Sequence, residues 1–230
     1  MQIERATIAA GAFAMGSVHG QPDERPVHEV WLDEFAIAVH PVTNDDYRGF
    51  VAATGHRAPG LAGDARFDLP RQPVVAVSWF DAVAYCAWLS ERTGLCCRLP
   101  TEAEREKAAL GGAEGISYPW GDEPLPAGPV PPPAWPDVVG RDPPNGLGLH
   151  NTGDLVHEWC SDWYDASYYG HSPRRNPCGP DAGTRRSSRG GSWRHRVQAT
   201  RCAARSSLPP DRTYSDYGFR VAVGPRAARD

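Results

Sequence analysis

Ser192, Trp193, Arg194, His195, Arg201 and Arg205 crowd into one short run, and with His157 they form the most chemically capable set in the chain. The two histidines offer neutral nitrogen donors of the kind that ligate iron or copper, with Glu158 or a tyrosine as a further ligand. Without a metal, each is a hydrogen-bonded, partly buried histidine. Arg201 and Arg205 carry the planar fork that holds a carboxylate through two parallel bonds; the alternative is structural pairing with Asp162, Asp211 or Asp216. Trp193 supplies a large apolar anchor, and Gly190 and Gly191 permit backbone conformations closed to other residues, so the run reads as the wall of a pocket.

Charge is unevenly spread around that wall. From Arg174 to Arg205 there are nine arginines against one acid, Asp181, which is either a solvated basic face or an anion-binding wall. The whole chain carries a net charge of -4, so there is no footprint for nucleic acid. No run of eighteen apolar residues occurs, which argues against a membrane span, and the start Met1-Gln2-Ile3-Glu4-Arg5 lacks the pattern of a secretory leader. A cytoplasmic protein is expected, with no membrane and no nucleic acid among its partners.

The elements that must position these groups are short. Gly 24 and Pro 23 in 230 residues predict many turns and little regular structure, while 8 Trp, 8 Tyr and 6 Phe provide the anchors of an ordered core. Thr43 caps a helix ending near Gly55, with Tyr47, Phe50 and Val51 on one face. Ser78 and Asp81 open a second, with Ala82, Tyr85, Cys86 and Leu89 at helical spacing until Gly94. Thr101 and Glu104 form the capping box of a third running towards Gly111. Val27 to Leu32, Phe35 to Val39 and Phe219 to Val223 read as strands. The proline-rich stretch 124–144 is an irregular insert. The expectation is one α+β domain of 1–230, with a core about 8–223, long loops and about three helices. Cys96-Cys97 reads as two separate thiols.

Blocks along the chain resemble one family in its order. They are Gly11-Ala12-Phe13-Ala14-Met15-Gly16-Ser17, Glu24-Arg25-Pro26-Val27-His28, Arg98-Leu99-Pro100-Thr101-Glu102-Ala103-Glu104, Asn145-Gly146-Leu147-Gly148-Leu149 and Glu158-Trp159-Cys160-Ser161-Asp162-Trp163. Arg189-Gly190-Gly191-Ser192-Trp193, Arg201-Cys202-Ala203-Ala204-Arg205 and Gly218-Phe219-Arg220 complete the set. The chain resembles the formylglycine-generating enzymes, or sulfatase-modifying factors, whose fold is related to that of C-type lectins. That resemblance implies a structural calcium site at the side chains of Asn151 and Glu158 and the carbonyls of Asp154 and Val156. Calcium takes six to eight hard oxygens, carbonyls included, although a turn with Asn and Glu bonded to backbone fits the same residues.

The family's oxidases hold copper(I) through two cysteines between G-G-S-[WY] and R-C-A-A-R. Here the interval from Arg194 to Arg201 contains no thiol, and copper is not expected, because Cu(I) selects thiolate or thioether ligands. Cys202 matches a structural cysteine of the family. The family's partners for Cys86 and Cys202 are replaced by Val221 and Ala109, which favours a reducing compartment. Ser192 matches the serine that sits beside the copper, and His157 stands where the family has a tryptophan. The expected function is a formylglycine-generating-enzyme-like protein with a degenerate copper site, binding a peptide or small anionic ligand in the former cleft through Trp193, Arg194, Arg201 and Arg205. The alternative is an O2-dependent oxidoreductase using iron or copper through histidine, or no metal. In that case Ser192, His157 and His195 are the catalytic candidates.

Overall fold

Short strands that pair across long stretches of sequence build the framework of this chain. The computed structural model describes residues 3–123, 134–195 and 197–225; Arg196 and the first part of the proline-rich insert lie outside them. The elements in chain order are β1 (Arg5–Ile8), β2 (Gly11–Met15), β3 (His28–Leu32), β4 (Phe35–Ala38), α1 (Asn44–Thr54) and α2 (Trp79–Thr93), then β5 (Cys97–Arg98) and α3 (Glu102–Ala109). β6 (His157–Trp163), β7 (Arg186–Arg189), β8 (Arg205–Leu208), β9 (Tyr217–Gly218) and β10 (Ala222–Val223) follow.

Each helix starts where its cap demands. Thr43, Ser78 and Thr101 accept the amide protons of Asp46, Asp81 and Glu104, whose carboxylates bond back to the cap residue. Gly55 and Gly94 close α1 and α2 in the left-handed conformation, with φ of 69° and 70°, which a side chain would oppose. The apolar faces of α1 and α2 bury Tyr47, Phe50, Ala82, Tyr85, Cys86 and Leu89 in one core with Trp159 and Phe219.

α3 departs from the pattern of an exposed charged helix. Its sequence Glu-Ala-Glu-Arg-Glu-Lys-Ala-Ala reads as solvent-facing, yet Glu102, Glu104, Arg105 and Glu106 are all buried. Such burial requires paired charges, and each carboxylate has a guanidinium: Arg98 for Glu104, Arg205 for Glu102 and Arg189 for Glu106.

Three sheets result: β1-β4-β10-β5, the β2-β3 hairpin, and β8-β7-β6-β9. The strand expected at Phe219–Val223 is confined to Ala222–Val223, while the carbonyls of Val221 and Phe219 accept from Ala38 at the end of β4 and from Val42 beyond it. β6 is central to the third sheet and buried on both faces, so its side chains do not alternate between core and solvent. It pairs antiparallel with β7 and parallel with β9, in a register that sets His157 opposite Tyr217. Residues 134–144 of the insert are irregular, as expected.

Candidate functional site

The β6–β9 ladder fixes the floor of the site. The amide of His157 donates to the carbonyl of Asp216 at 2.9 Å, which brings that aspartate beside the histidine. β7 runs into Gly190, whose φ of 77° turns the chain; Gly191 then meets the backbone of Ala199 and Gly153 so closely that a Cβ would clash at 2.9 Å. The two glycines therefore serve different needs, one of conformation and one of space.

Beyond that turn Ser192 is buried and donates to Asp216 Oδ2 at 3.1 Å. Arg194 Nε lies 3.3 Å and His195 Nε2 3.8 Å from the same oxygen. The imidazole rings of His157 and His195 approach to 4.7 Å between centroids. One ligand atom from each of His157, His195 and Asp216 lies within 4.8 Å of the others. All three catalytic candidates are thus brought together, and the sequence reading missed Asp216 as their shared partner.

Burial is the main cause that lowers the basicity of His157, to about 4, with the neighbouring His195 adding to it. Burial also lowers His195, against the opposing pull of Asp216. Both rings are therefore neutral at physiological pH, the form that ligates metals or accepts protons. A cavity of about 350 Å³ opens here, with His157, Gly190, His195, Arg201, Arg205 and Ser206 among its lining residues.

The arginines assigned to an anionic ligand are already paired. Arg201 holds Glu24 through two bonds of 2.6 Å, and Arg205 holds Glu102 at 2.7 and 2.9 Å. Pairing was foreseen, but not with these acids: Asp162 bonds to the amide of Glu102 and the hydroxyl of Ser161, and Asp216 is taken by Ser192 and Arg194. Trp193 packs against Phe67 at 6.1 Å between ring centroids rather than standing free in the cleft.

The calcium ligands do not fit that ion. Glu158 is fully buried, and its oxygens accept from Arg105 Nε at 2.7 Å and from Arg220 Nη2 and Nε at 3.0 and 3.1 Å. Asn151 Oδ1 accepts from the amide of Gly140 at 2.9 Å. Arg105 Nη2 donates to the carbonyl of Thr152 at 2.8 Å, and Arg220 Nη2 to that of His150 at 2.7 Å. Two guanidinium groups fill the role of a divalent cation, and a calcium ion would add two charges beside them. The carbonyls of Asp154 and Val156 remain in that loop, where burial raises the Asp154 carboxyl to about 6.

A copper–thiolate site is equally foreign to the donors present. Among the described residues, no cysteine lines the cavity. Cys202 lies within the buried core, where burial pushes its thiol up to about 12, so it is a poor source of thiolate. Cys96 is exposed and Cys97 buried, two separate free thiols as expected.

Comparison with known proteins agrees with this architecture. Residues 2–225 match the sulfatase-modifying factor enzyme 1-like domain. The formylglycine-generating enzyme of Streptomyces coelicolor is 37% identical over 290 residues, covering 94% of this chain and 87% of that protein. A Chlamydia pneumoniae protein named serine/threonine-protein kinase pkn1 is 36% identical over 95% of this chain, which spans only 38% of that protein's length. Among solved structures, PvdO from Pseudomonas aeruginosa superimposes with a TM-score of 0.82 at 30% identity, over 95% of this chain and 93% of its own. With the matching domain extending over nearly every residue, the chain belongs to the sulfatase-modifying factor family.

Proposed function

We propose that the chain uses its cleft to bind an extended peptide segment, and that it does not perform copper-dependent oxidation of cysteine to formylglycine. The observation carrying this reading is that β8, an edge strand of its sheet among the described residues, contributes Arg205 and Ser206 to the cavity wall. An edge strand offers backbone donors and acceptors to an added strand, which gives affinity for peptide backbone without a demand on charge. With Arg201 and Arg205 neutralised by Glu24 and Glu102, a peptide is a better fit than a small anion. Free thiols at all six cysteines are in keeping with a reducing, cytoplasmic setting, and no helix among the described residues is long and apolar enough to cross a membrane.

Panning a random heptapeptide library against the full chain, followed by hydrogen exchange, tests the proposal. Selected peptides should slow exchange at Ala204–Ser206. Ala204 also lines the cavity, and Ala204→Trp, which fills it, should weaken them at least about tenfold. Peptides that protect another surface, or that bind the Ala204→Trp variant equally well, would sink it.

A second reading, an oxidoreductase acting through histidine, is favoured by the 4.7 Å approach of the His157 and His195 rings. It predicts oxygen consumption by the iron-loaded protein that is lost in His195→Gln, measured with a thiol compound as reductant.

A further inference from the structure

We infer that His157, His195 and Asp216 form a site for one first-row divalent transition ion, such as Fe(II), Co(II) or Zn(II), at the base of the cleft. The inference rests on that cleft being the working site, but not on a peptide being its occupant. Three observations converge on it. Two imidazoles and one carboxylate present ligand atoms within 4.8 Å of one another, a donor set suited to such ions and lacking the soft sulfur that Cu(I) selects. His157 lines the cavity and is only 5% exposed, yet its Nδ1 has no hydrogen-bond partner. A buried imidazole nitrogen left without a partner costs stability, and a metal held through that nitrogen would relieve the cost. Third, Ser192 donates to Asp216 Oδ2, the outer hydrogen bond that orients a ligating carboxylate.

The cluster must close slightly. Donors sharing an ion at bond lengths of about 2.1 Å stand about 3 to 4 Å apart, so a contraction of about 1 to 2 Å is needed. His157 and Asp216 are tied to the β6–β9 ladder, whereas His195 follows the Gly190–Gly191 turn with its side chain 35% accessible. Movement of His195 therefore supplies the closure. Arg194 Nε, at 3.3 Å from Asp216 Oδ2, competes with the ion; its side chain is 46% accessible and can swing into solvent. Two neutral imidazoles and one carboxylate leave a bound divalent ion with one net positive charge and with positions open to the cavity.

The test uses the full chain stripped with chelator and titrated with Co²⁺, followed by ligand-field absorption and equilibrium dialysis. One equivalent should bind, with histidine proton resonances shifted by the paramagnetic ion. His195→Gln and Asp216→Asn should each weaken binding by about 10- to 100-fold. His195 stands in a partly exposed loop, so that variant keeps the test usable should the buried Asp216 variant fail to fold, as checked by circular dichroism. Binding well below one equivalent, or unchanged affinity in a folded His195→Gln, overturns the site. Peptide panning is run on the same metal-free protein. A protein that binds peptide but takes up no cobalt refutes the metal site alone, and one that takes up cobalt but selects no peptide refutes only the peptide reading.

Discussion

Asp162 shows how a buried carboxyl with few cationic neighbours makes stability depend on pH. It accepts from the amide of Glu102 at 2.9 Å and from Ser161 Oγ at 3.0 Å. Burial, reinforced by the charge of Glu102, raises it from 3.8 to about 7. The folded state therefore keeps a proton that the unfolded chain releases, and stability falls as pH rises from about 4 to about 7. Asp162→Asn keeps the shape without the charge. It should flatten that decline and raise stability at pH 8 by up to about 4 kcal/mol relative to the wild type, read from urea unfolding at pH 5 and pH 8. An unchanged pH profile would show that Asp162 is ionised in the fold. At this scale the sequence spoke unevenly. Ser192, His157 and His195 announced themselves by type and motif. Asp216 did not, because its role depends on a strand of two residues that exists only by pairing with β6.

Among the elements, α3 has the most unusual energetics, since buried ion pairs hold it in place alongside the apolar contacts of Ala103, Ala108 and Ala109. Glu158 on β6 completes the arrangement by joining Arg105 of α3 to Arg220 near β10. Glu158→Ala would leave two buried guanidinium groups facing one another, at a cost of about 3 to 5 kcal/mol in denaturant unfolding. A loss within about 0.5 kcal/mol would mean that water reaches the two arginines. Because these groups occupy the place expected of calcium, added calcium should not move the thermal midpoint of the chelator-stripped wild type; a rise with calcium would refute that reading. The helix starts were legible because a cap acts over three residues, as in Thr43 with Asp46. The ion pairs were not, because Arg105 and Glu158 are separated by 53 residues and Arg201 and Glu24 by 177. Local rules could place α3 in the sequence but could not say that it would be buried.

At the level of the whole molecule, the family blocks in order were enough to foresee the domain's fold, and the caps and apolar spacing its about three helices. They could not foresee the balance of charge in the cleft, which arises only when distant blocks meet. The six cysteines are free, so a reductant should leave the thermal midpoint unchanged and all six thiols should titrate after denaturation. A midpoint that drops on reduction would reveal a disulfide in the folded protein.

His157 and Asp216 belong to a hydrogen-bonded ladder, while Ser192 and His195 hang from the turn that follows β7. The fold thus separates a permanent foundation from a replaceable fixture. Changes in that one turn can alter the reactive groups over the floor while the sheet, its register and the buried ion pairs stay as they are. A protein built in this way can exchange one chemistry for another by editing a single connection.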